Sequence, residues 1–186
     1  MQHDQDIIAN IRRGDKQAYR LLVERYQQKV FQTCMGFVHH EEDAADLTQE
    51  IFIKVYEKLD AFRGKAAFST WLYRMAVNHS LNAVRKNKLK AYFRGNDGSD
   101  VPDRVDEDQE ADGQLRQKED RALLRKALGA LPASQRKAFV LSYYQDLSNK
   151  EVAEVLQLKL KAVESLLYRA RQNMKSALIR MSDEKG

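Results

Sequence analysis

Apolar residues recur every three or four positions over long parts of the chain, which is the spacing of one face of an α-helix. The clearest stripe consists of Ala18, Leu22, Tyr26, Val30, Cys34 and Phe37. Asp15 stands just before this stripe, where its carboxylate can cap a helix. The pattern therefore predicts a short helix over residues 4–12, ended by Gly14, and a long helix after Asp15.

Two more helices are predicted before the pattern changes. Residues 42–59 carry a stripe of Leu47, Ile51, Val55 and Leu59, and the acidic first turn suits the positive end of the helix dipole. After a loop over 60–67, residues 69–88 are predicted to form a fourth helix with a broad apolar arc on one side. The opposite side of this fourth helix is polar and carries Arg74, Asn78, Asn82 and Arg85. We expect the helix to pack on one side and to present these amide and guanidinium groups on the other.

The helical periodicity stops over residues 93–118, which are polar, acidic and interrupted by Gly and Pro, as is typical of a flexible linker. It resumes near residue 119 and is broken at Pro132. A capping box formed by Ser148 and Glu151 then opens a short helix, followed by a tight connection and a long amphipathic helix. The expected fold is all-α, with a four-helix domain over 1–92, a flexible acidic linker over 93–118, and a second four-helix domain over 119–186.

Composition supports helices and narrows the class of protein. The 186 residues include only eight Gly and two Pro, and few Val, Ile and Thr. No apolar run approaches the ~20 residues of a membrane span, and the N-terminus does not resemble a signal peptide. One cysteine cannot form an internal disulfide. We therefore expect a cytoplasmic protein without membrane insertion, and not a secreted or disulfide-stabilised one.

Charge is distributed unevenly along the chain, although the net charge is only +5. Residues 41–60 contain seven acidic and two basic residues, whereas residues 61–90 contain seven basic residues and no acidic one. The linker is net acidic and the last 68 residues are net basic. Separate acidic and basic surfaces can contact a basic protein and a nucleic acid, although solvated helix faces would give the same pattern.

The last two helices have the layout of a helix-turn-helix, in which the longer helix enters a major groove. The predicted groove-facing side carries Lys161, Glu164, Ser165, Tyr168 and Gln172, with Arg169 at its edge. Arg169, Arg171 and Lys159 are suited to phosphates, whereas Glu164 and Ser165 are candidates for contacts with base edges. An ordinary helical hairpin is the alternative.

Four aromatic residues surround the loop before the fourth helix: Phe62, Phe68, Trp71 and Tyr73. Aromatic rings beside basic residues can stack on unpaired bases, as a protein that opens a duplex requires. Aromatic residues at helical spacing are also common in cores, so a structural role is the alternative.

No residues indicate catalysis, a cofactor or a metal. Cys34, His39 and His40 could suggest a zinc site, but two adjacent histidines cannot both face Cys34 from a regular helix. Cys34 also belongs to the apolar stripe and is expected in the core. The chain lacks a Gly-rich phosphate loop and a nucleophile motif. We predict no catalytic residue, no cofactor and no metal ligand.

Several motifs occur in an order that resembles a known family. They are Asp43-Ala-Ala-Asp46-Leu-Thr-Gln49-Glu50-Ile-Phe52-Ile-Lys-Val-Tyr56, Phe68-Ser-Thr-Trp71-Leu-Tyr-Arg-Met-Ala76-Val-Asn78, Leu131-Pro132, Leu147-Ser148-Asn-Lys-Glu151-Val-Ala153 and Tyr168-Arg169-Ala170-Arg171. Together they resemble the bacterial extracytoplasmic-function (ECF) sigma factors of RNA polymerase, of the sigma-70 family. The resemblance covers nearly the whole chain, and the spacing of the first two motifs is highly specific.

The resemblance implies that the N-terminal domain binds the clamp helices of the polymerase's largest subunit through the acidic third helix. The corresponding residues are Asp46, Gln49, Glu50, Phe52 and Lys54, with Phe52 expected to be exposed. It also implies contact with the polymerase flap and regulation by an anti-sigma factor that occupies the polymerase-binding surfaces.

For promoter DNA, the resemblance implies that the loop and fourth helix recognise and melt the minus-ten element, capturing one flipped base. The residues predicted for this role are Phe62, Arg63, Lys65, Trp71, Arg74, Asn78, Asn82 and Arg85. The helix-turn-helix is expected to read the minus-thirty-five element with Lys159, Lys161, Glu164, Ser165, Tyr168, Arg169 and Gln172.

Three positions depart from the family pattern. Gln157 stands in the turn where the family commonly has Gly, and Glu164 and Leu166 replace frequent basic residues. Glu164 could instead accept a hydrogen bond from a cytosine amino group. Two other functions remain compatible with the residues: a stand-alone helix-turn-helix repressor or activator, which would need a dimer interface, and a helical adaptor whose basic faces bind an acidic protein.

Overall fold

The structure is a computed structural model that describes residues 3–94 and 112–183. These two ranges contain α1 (Asp4–Arg12), α2 (Lys16–Val38), α3 (Glu41–Lys58), a 3-10 turn (Leu59–Ala61), α4 (Phe68–Arg94), α5 (Asp112–Ala130), α6 (Ala133–Tyr144), α7 (Asn149–Leu156) and α8 (Leu160–Asp183). No strand occurs in either range. The predicted all-α fold is confirmed.

The first four helices pack around one apolar core. The Asp15 carboxylate accepts hydrogen bonds from the backbone N–H groups of Gln17 and Ala18, so it caps α2 as predicted. All six residues of the predicted α2 stripe are buried, and so are the four of α3. Periodicity and capping were therefore sufficient to define these helices.

Arg12 of α1 hydrogen-bonds to the segment that joins α3 to α4. Its guanidinium donates hydrogen bonds to the backbone carbonyls of Leu59 and Phe62. These contacts span about fifty residues of sequence and fix the start of the loop over 62–67. A residue on α1 thus positions the loop that is predicted to meet the minus-ten DNA.

The C-terminal helices form a second core around α8. Ala127, Leu128 and Leu131 are buried, whereas Leu124 is 40% exposed. The buried guanidinium of Arg136 donates to the carbonyls of Gly129 and Leu131, and so satisfies the end of α5. Burial lowers the pKa of Arg136, and hydrogen bonding to carbonyls stabilises its charge there.

Local hydrogen bonds fix both ends of α7, the first helix of the helix-turn-helix. The Ser148 hydroxyl accepts from the Glu151 N–H, and the Glu151 carboxylate accepts from the Ser148 N–H at 2.8 Å, which confirms the capping box. At the other end of α7, Gln157 adopts the left-handed conformation, with φ 57° and ψ 42°. The Leu158 N–H then donates to Ala153 O at 3.0 Å, as in a Schellman motif.

We expect Gln157→Gly to raise the free energy of unfolding by about 0.5–1 kcal/mol. A left-handed residue with a Cβ costs roughly 1–2 kcal/mol, and the greater unfolded-state entropy of glycine offsets part of this gain. Chemical denaturation measures the difference. Lys159→Gly is the control, because Lys159 lies in the same turn without a positive φ. Equal stability of wild type and Gln157→Gly would contradict the prediction.

The predicted linker differs from the structure at both ends. Helix α4 continues to Arg94, and α5 begins at Asp112, so helices occupy the first two and last seven positions of the predicted 93–118 segment. The remaining residues of the predicted linker, which follow α4 and precede α5 in the sequence, lie outside the described ranges.

The two domains share a buried apolar cluster, although the sequence left open whether they pack together or stay apart. From α2 and α4 it includes Phe37, Tyr73 and Val77. These pack with residues from α6, α7 and α8: Ala138, Val140, Leu141, Val152, Ala153, Val155, Val163 and Leu167. We refer to this cluster as the interdomain core.

Candidate functional site

Helix α3 presents two different surfaces instead of one mixed surface. Asp46 and Glu50 are exposed on the side facing α4, where they line a hollow with Lys86 and Lys90. The predicted exposed aromatic, Phe52, is buried on the other side, at 6% exposure. The prediction of an exposed Phe52 is therefore wrong, because α3 turns this ring toward α2.

The surface above Phe52 is an apolar groove between α2 and α3, with a volume of about 680 Å³. We call it the α2–α3 groove; its lining residues are Lys16, Tyr19, Val23, Gln27, Thr48, Gln49, Phe52, Ile53, Tyr56 and Glu57. Ile53 and Tyr56 are 60% and 53% exposed, which is high for large apolar side chains.

Two tyrosines shape the α2–α3 groove. The Tyr19 and Tyr56 rings meet edge to face with centroids 4.9 Å apart. The Tyr19 hydroxyl also donates to the carbonyl of Phe52, and burial raises the pKa of Tyr19 to about 12. Tyr19 of α2 thus fixes one wall of the groove, which offers an apolar surface beside Gln49. Such a surface can receive an apolar or aromatic residue of a partner helix.

The loop between the 3-10 turn and α4 combines an anchored start with an exposed tip. Arg63 and Lys65 are exposed on either side of Gly64, which has φ 67°. Phe62 is buried, and its ring packs against Phe68 and Trp71 with centroids 5.6 and 5.5 Å apart. The structure thus assigns Phe62 to the core, not to the surface of the loop where it was predicted to stack on a base.

The polar side of α4 is exposed at Asn78, Asn82 and Arg85, as predicted, whereas Arg74 is half-buried and two of the four residues contact the C-terminal domain. Arg74 donates to the carbonyls of Val155 (2.9 Å) and Glu154 (2.7 Å) at the end of α7. The Asn78 side-chain carbonyl accepts from Lys137 Nζ at 2.9 Å. Asn82 and Arg85, farther along α4, are exposed. We call these four residues the α4 polar face: Arg74, Asn78, Asn82 and Arg85.

The predicted recognition helix α8 is open along its polar side. All seven residues predicted for the minus-thirty-five element are exposed: Lys159, Lys161, Glu164, Ser165, Tyr168, Arg169 and Gln172. Arg169 donates to the Ser165 hydroxyl at 2.8 Å, so these two side chains act as one unit. The opposite, apolar side of α8 is buried at Val163, Leu167 and Ala170, as in an amphipathic helix.

Arg171 on α8 is held in place by an aromatic residue of α6. Its Nε donates to the Tyr143 hydroxyl at 2.6 Å, and its guanidinium lies over the same ring, 5.7 Å from the centroid. Tyr143 in turn stacks on Phe139. Arg171 is therefore preorganised at the edge of α8, where a DNA phosphate would pass.

Within residues 3–94 and 112–183, no group of three or more His, Cys, Asp or Glu side chains is placed to hold a metal ion. Cys34 is buried, and the Ser80 hydroxyl donates to its Sγ at 3.5 Å. Helices in these ranges are too short or too polar to cross a membrane.

Two family models match the chain, one in each domain. Residues 22–90 match Sigma-70 region 2, and residues 121–174 match Sigma-70, region 4. The chain is 38% identical to the RNA polymerase sigma-H factor of Pseudomonas aeruginosa over 187 residues, which cover 95% of this chain and 94% of that protein. It is 36% identical to the ECF RNA polymerase sigma-E factor of Escherichia coli over 91% of both chains.

The arrangement of a helical domain with an acidic helix and a second domain with an open helix-turn-helix defines a promoter-specificity factor. With the family matches, it follows that the chain belongs to the ECF sigma factors of the sigma-70 family, which are transcription initiation factors.

Solved structures have the same fold. CnrH in complex with the cytosolic domain of CnrY has a TM-score of 0.70 and 25% identity, over 95% of this chain and 97% of that one. The sigma factor RpoE of Bartonella quintana, solved with the anti-sigma factor NepR, has a TM-score of 0.64 and 20% identity, over 86% and 96%.

Sequence reasoning missed residues whose role depends on neighbours far away in the chain. Arg12 positions the 62–67 loop, Tyr143 positions Arg171, and Ile53 and Tyr56 supply the exposed apolar area of the α2–α3 groove. Only the last pair had a usable sequence signal, since both lie one turn or less from Phe52 in a helix already predicted to bind the polymerase.

Proposed function

We propose that the N-terminal domain binds core RNA polymerase and the minus-ten element, while the C-terminal domain binds the minus-thirty-five element. The observation that carries this proposal is the separation of surfaces. The apolar α2–α3 groove lies in one domain, and the exposed polar side of α8 lies in the other. One chain can therefore contact a protein and duplex DNA at the same time.

In this proposal the α2–α3 groove receives the clamp helices of the polymerase's largest subunit. Gln49 provides a polar contact at the rim, while Ile53 and Tyr56 supply apolar area. Asp46 and Glu50 add an acidic surface that attracts a basic partner. Lys54 is half-buried between the two surfaces. The C-terminal domain contacts the polymerase flap.

For promoter DNA, we assign the loop tip and the α4 polar face to the minus-ten element. Arg63 and Lys65 reach phosphates, while Asn78 and Asn82 contact bases of the opened strand. Trp71 is half-buried between Phe62 and Phe68 and anchors α4 beneath this surface. On α8, Glu164 and Ser165 read base edges, and Arg169 and Arg171 bind phosphates on either side.

The protein acts in this scheme without chemistry of its own, because the polymerase supplies catalysis. It works in the cytoplasm, where the polymerase and the promoter are found. The neighbours with the same fold were solved with CnrY and with the anti-sigma factor NepR. We propose that an anti-sigma factor likewise restrains this chain and that release occurs in a stress or extracytoplasmic response.

Run-off transcription with core polymerase and a promoter library tests the proposal. We expect transcripts that depend on this protein and share one minus-thirty-five and one minus-ten sequence. Glu164→Ala should relax the preference at a single base pair of the minus-thirty-five element, by about 1–3 kcal/mol, and leave the minus-ten preference unchanged. DNA binding by a dimer without polymerase, together with no transcript, would instead support a stand-alone regulator.

A further inference from the structure

We propose that this chain inhibits itself: its C-terminal domain docks on the α4 polar face and excludes minus-ten DNA until the domains separate. The inference rests on the proposed DNA-binding role of α4. It concerns the free protein, before any anti-sigma factor or polymerase is bound. The same surface then has two competing ligands, promoter DNA and helices α6 and α7.

The two domains approach each other closely at Gly36, in the last turn of α2. A Cβ built on Gly36 would lie 2.8 Å from both γ-methyl groups of Val140 on α6, and Val140 supplies all three of its nearest atoms. Glycine lowers the stability of a helix interior relative to alanine. Gly36 has ordinary helical geometry, without a positive φ. The docked α6 is therefore the feature of the structure that requires glycine at this position.

Docking also buries apolar residues that the N-terminal core does not use. Phe37, Tyr73 and Val77 are at most 3% exposed, yet they belong to the interdomain core and not to the cluster around α1 and α3. Burial, and next the carboxylate of Glu151 on α7, raise the pKa of Tyr73 to about 12. Separation of the domains would leave three neighbouring apolar side chains in water, which favours the closed arrangement.

The contacts around the interdomain core occupy residues predicted to bind DNA. Arg74 donates to the last carbonyls of α7, those of Glu154 and Val155, and so completes its C-terminal cap. Asn78 accepts from Lys137. Although Asn78 is exposed, its side-chain oxygen and the Arg74 guanidinium are both engaged by the C-terminal domain, so closure competes with minus-ten DNA for these two groups.

The closed arrangement also brings Lys137 into the field of a like charge on α4. Lys137 is drawn toward α4, where Arg85 carries the same charge. Burial, followed by the charge of Arg85, lowers the pKa of Lys137. Like charges held together weaken an interface, so this contact favours separation of the domains. The device therefore opposes DNA binding without preventing it once polymerase separates the domains.

The first test measures the shape of the free full-length protein. Gly36→Ala should raise the radius of gyration above the roughly 16 Å of a compact chain of this length, because the added methyl group clashes with Val140. Gly129→Ala is the matched control, since a Cβ at this helical glycine meets nothing within 4 Å. Val140→Ala in the Gly36→Ala background should restore the compact form. Equal radii for Gly36→Ala and Gly129→Ala would overturn the proposal.

The second test locks the closed form reversibly. The ideal Gly36 Cβ lies 3.4 Å from Val140 Cβ, close to the separation found in disulfides. Gly36→Cys with Val140→Cys, in a Cys34→Ala background, should form a disulfide on oxidation. With core polymerase and promoter, the oxidised protein should open the minus-ten region at least tenfold less than the reduced protein.

The reduced form separates the two hypotheses in this second test. If reduction restores permanganate reactivity and oxidation abolishes it, self-inhibition is supported. If both forms open the promoter equally, docking does not exclude DNA and the proposal fails, although the sigma-factor function stands. If the reduced form and the wild type both fail to support transcription, the proposed function itself fails, and the radii of the free variants still report on closure.

Discussion

Ile53→Arg is expected to weaken binding of this protein to core RNA polymerase by at least about thirtyfold. Ile53 is 60% exposed beside Tyr56 in the α2–α3 groove, so it contributes little to the core of its own domain. An arginine there would place a charge where an apolar partner residue is expected. Loss of one interface hot spot costs about 2 kcal/mol or more, which corresponds to this factor.

The measurement is an equilibrium titration of labelled protein with core polymerase in the absence of DNA. Leu89→Arg is the matched control, because Leu89 on α4 is 62% exposed and lies outside the groove. The helical content of both variants should equal that of wild type. Identical polymerase affinities for Ile53→Arg and Leu89→Arg would show that the groove is not the polymerase-binding surface.

A second variant separates the apolar groove from the acidic surface of α3. Asp46→Arg with Glu50→Arg should also abolish co-purification with core polymerase. If these carboxylates attract a basic partner, the affinity of the wild type for core polymerase should fall as the salt concentration rises. Because Lys86 and Lys90 line the same hollow, the reversal brings like charges together. A thermal unfolding curve must therefore accompany this variant. Unchanged core affinity would remove Asp46 and Glu50 from the interface.

The helices could be predicted from the sequence because their signals are local. A stripe of apolar residues, the Asp15 cap and the capping box at Ser148 and Glu151 each depend on residues within one or two turns. The Gln157 turn was also located correctly. Its left-handed conformation explains why glycine is common there in the family, and it shows that the substitution preserves the turn.

The orientation of side chains within a predicted surface was harder to obtain. Phe52 and Tyr56 are one turn apart on α3, and the sequence alone does not determine which aromatic ring turns inward. The structure buries Phe52 against α2 and exposes Tyr56. Phe62 posed the same problem in the loop, where its contacts with Phe68 and Trp71 decide its position.

Contacts between the domains could not be predicted from periodicity. Phe37 was correctly placed on an apolar stripe, but the stripe does not show that its last member faces α6 and not α3. The pairing of Gly36 with Val140 joins residues about one hundred positions apart. Likewise, Arg74 was correctly placed on the polar side of α4, yet it caps a helix of the other domain. Such contacts depend on the tertiary arrangement of whole elements.

Asn78→Ala is expected to reduce open-complex formation by about ten- to hundredfold while leaving affinity for core polymerase unchanged. An asparagine side chain that forms paired hydrogen bonds with a base contributes about 1–3 kcal/mol, and this energy helps to hold the base out of the duplex. Phe62, which the sequence placed in the same role, is unsuitable for such a test. Phe62 is buried, so truncation would cost about 3–5 kcal/mol of stability and confound the result.

The contact between Asn78 and Lys137 provides the control for this last prediction. Lys137→Ala removes the same interdomain hydrogen bond but leaves Asn78 available to DNA. If Asn78 acts only between the domains, the two variants should open the promoter equally well. If Asn78 holds an unpaired base, Asn78→Ala should lose permanganate reactivity in the minus-ten region, whereas Lys137→Ala should equal or exceed wild type. Because closure and DNA binding use the same side chain, a loss that is seen in Asn78→Ala and not in Lys137→Ala assigns Asn78 to the promoter.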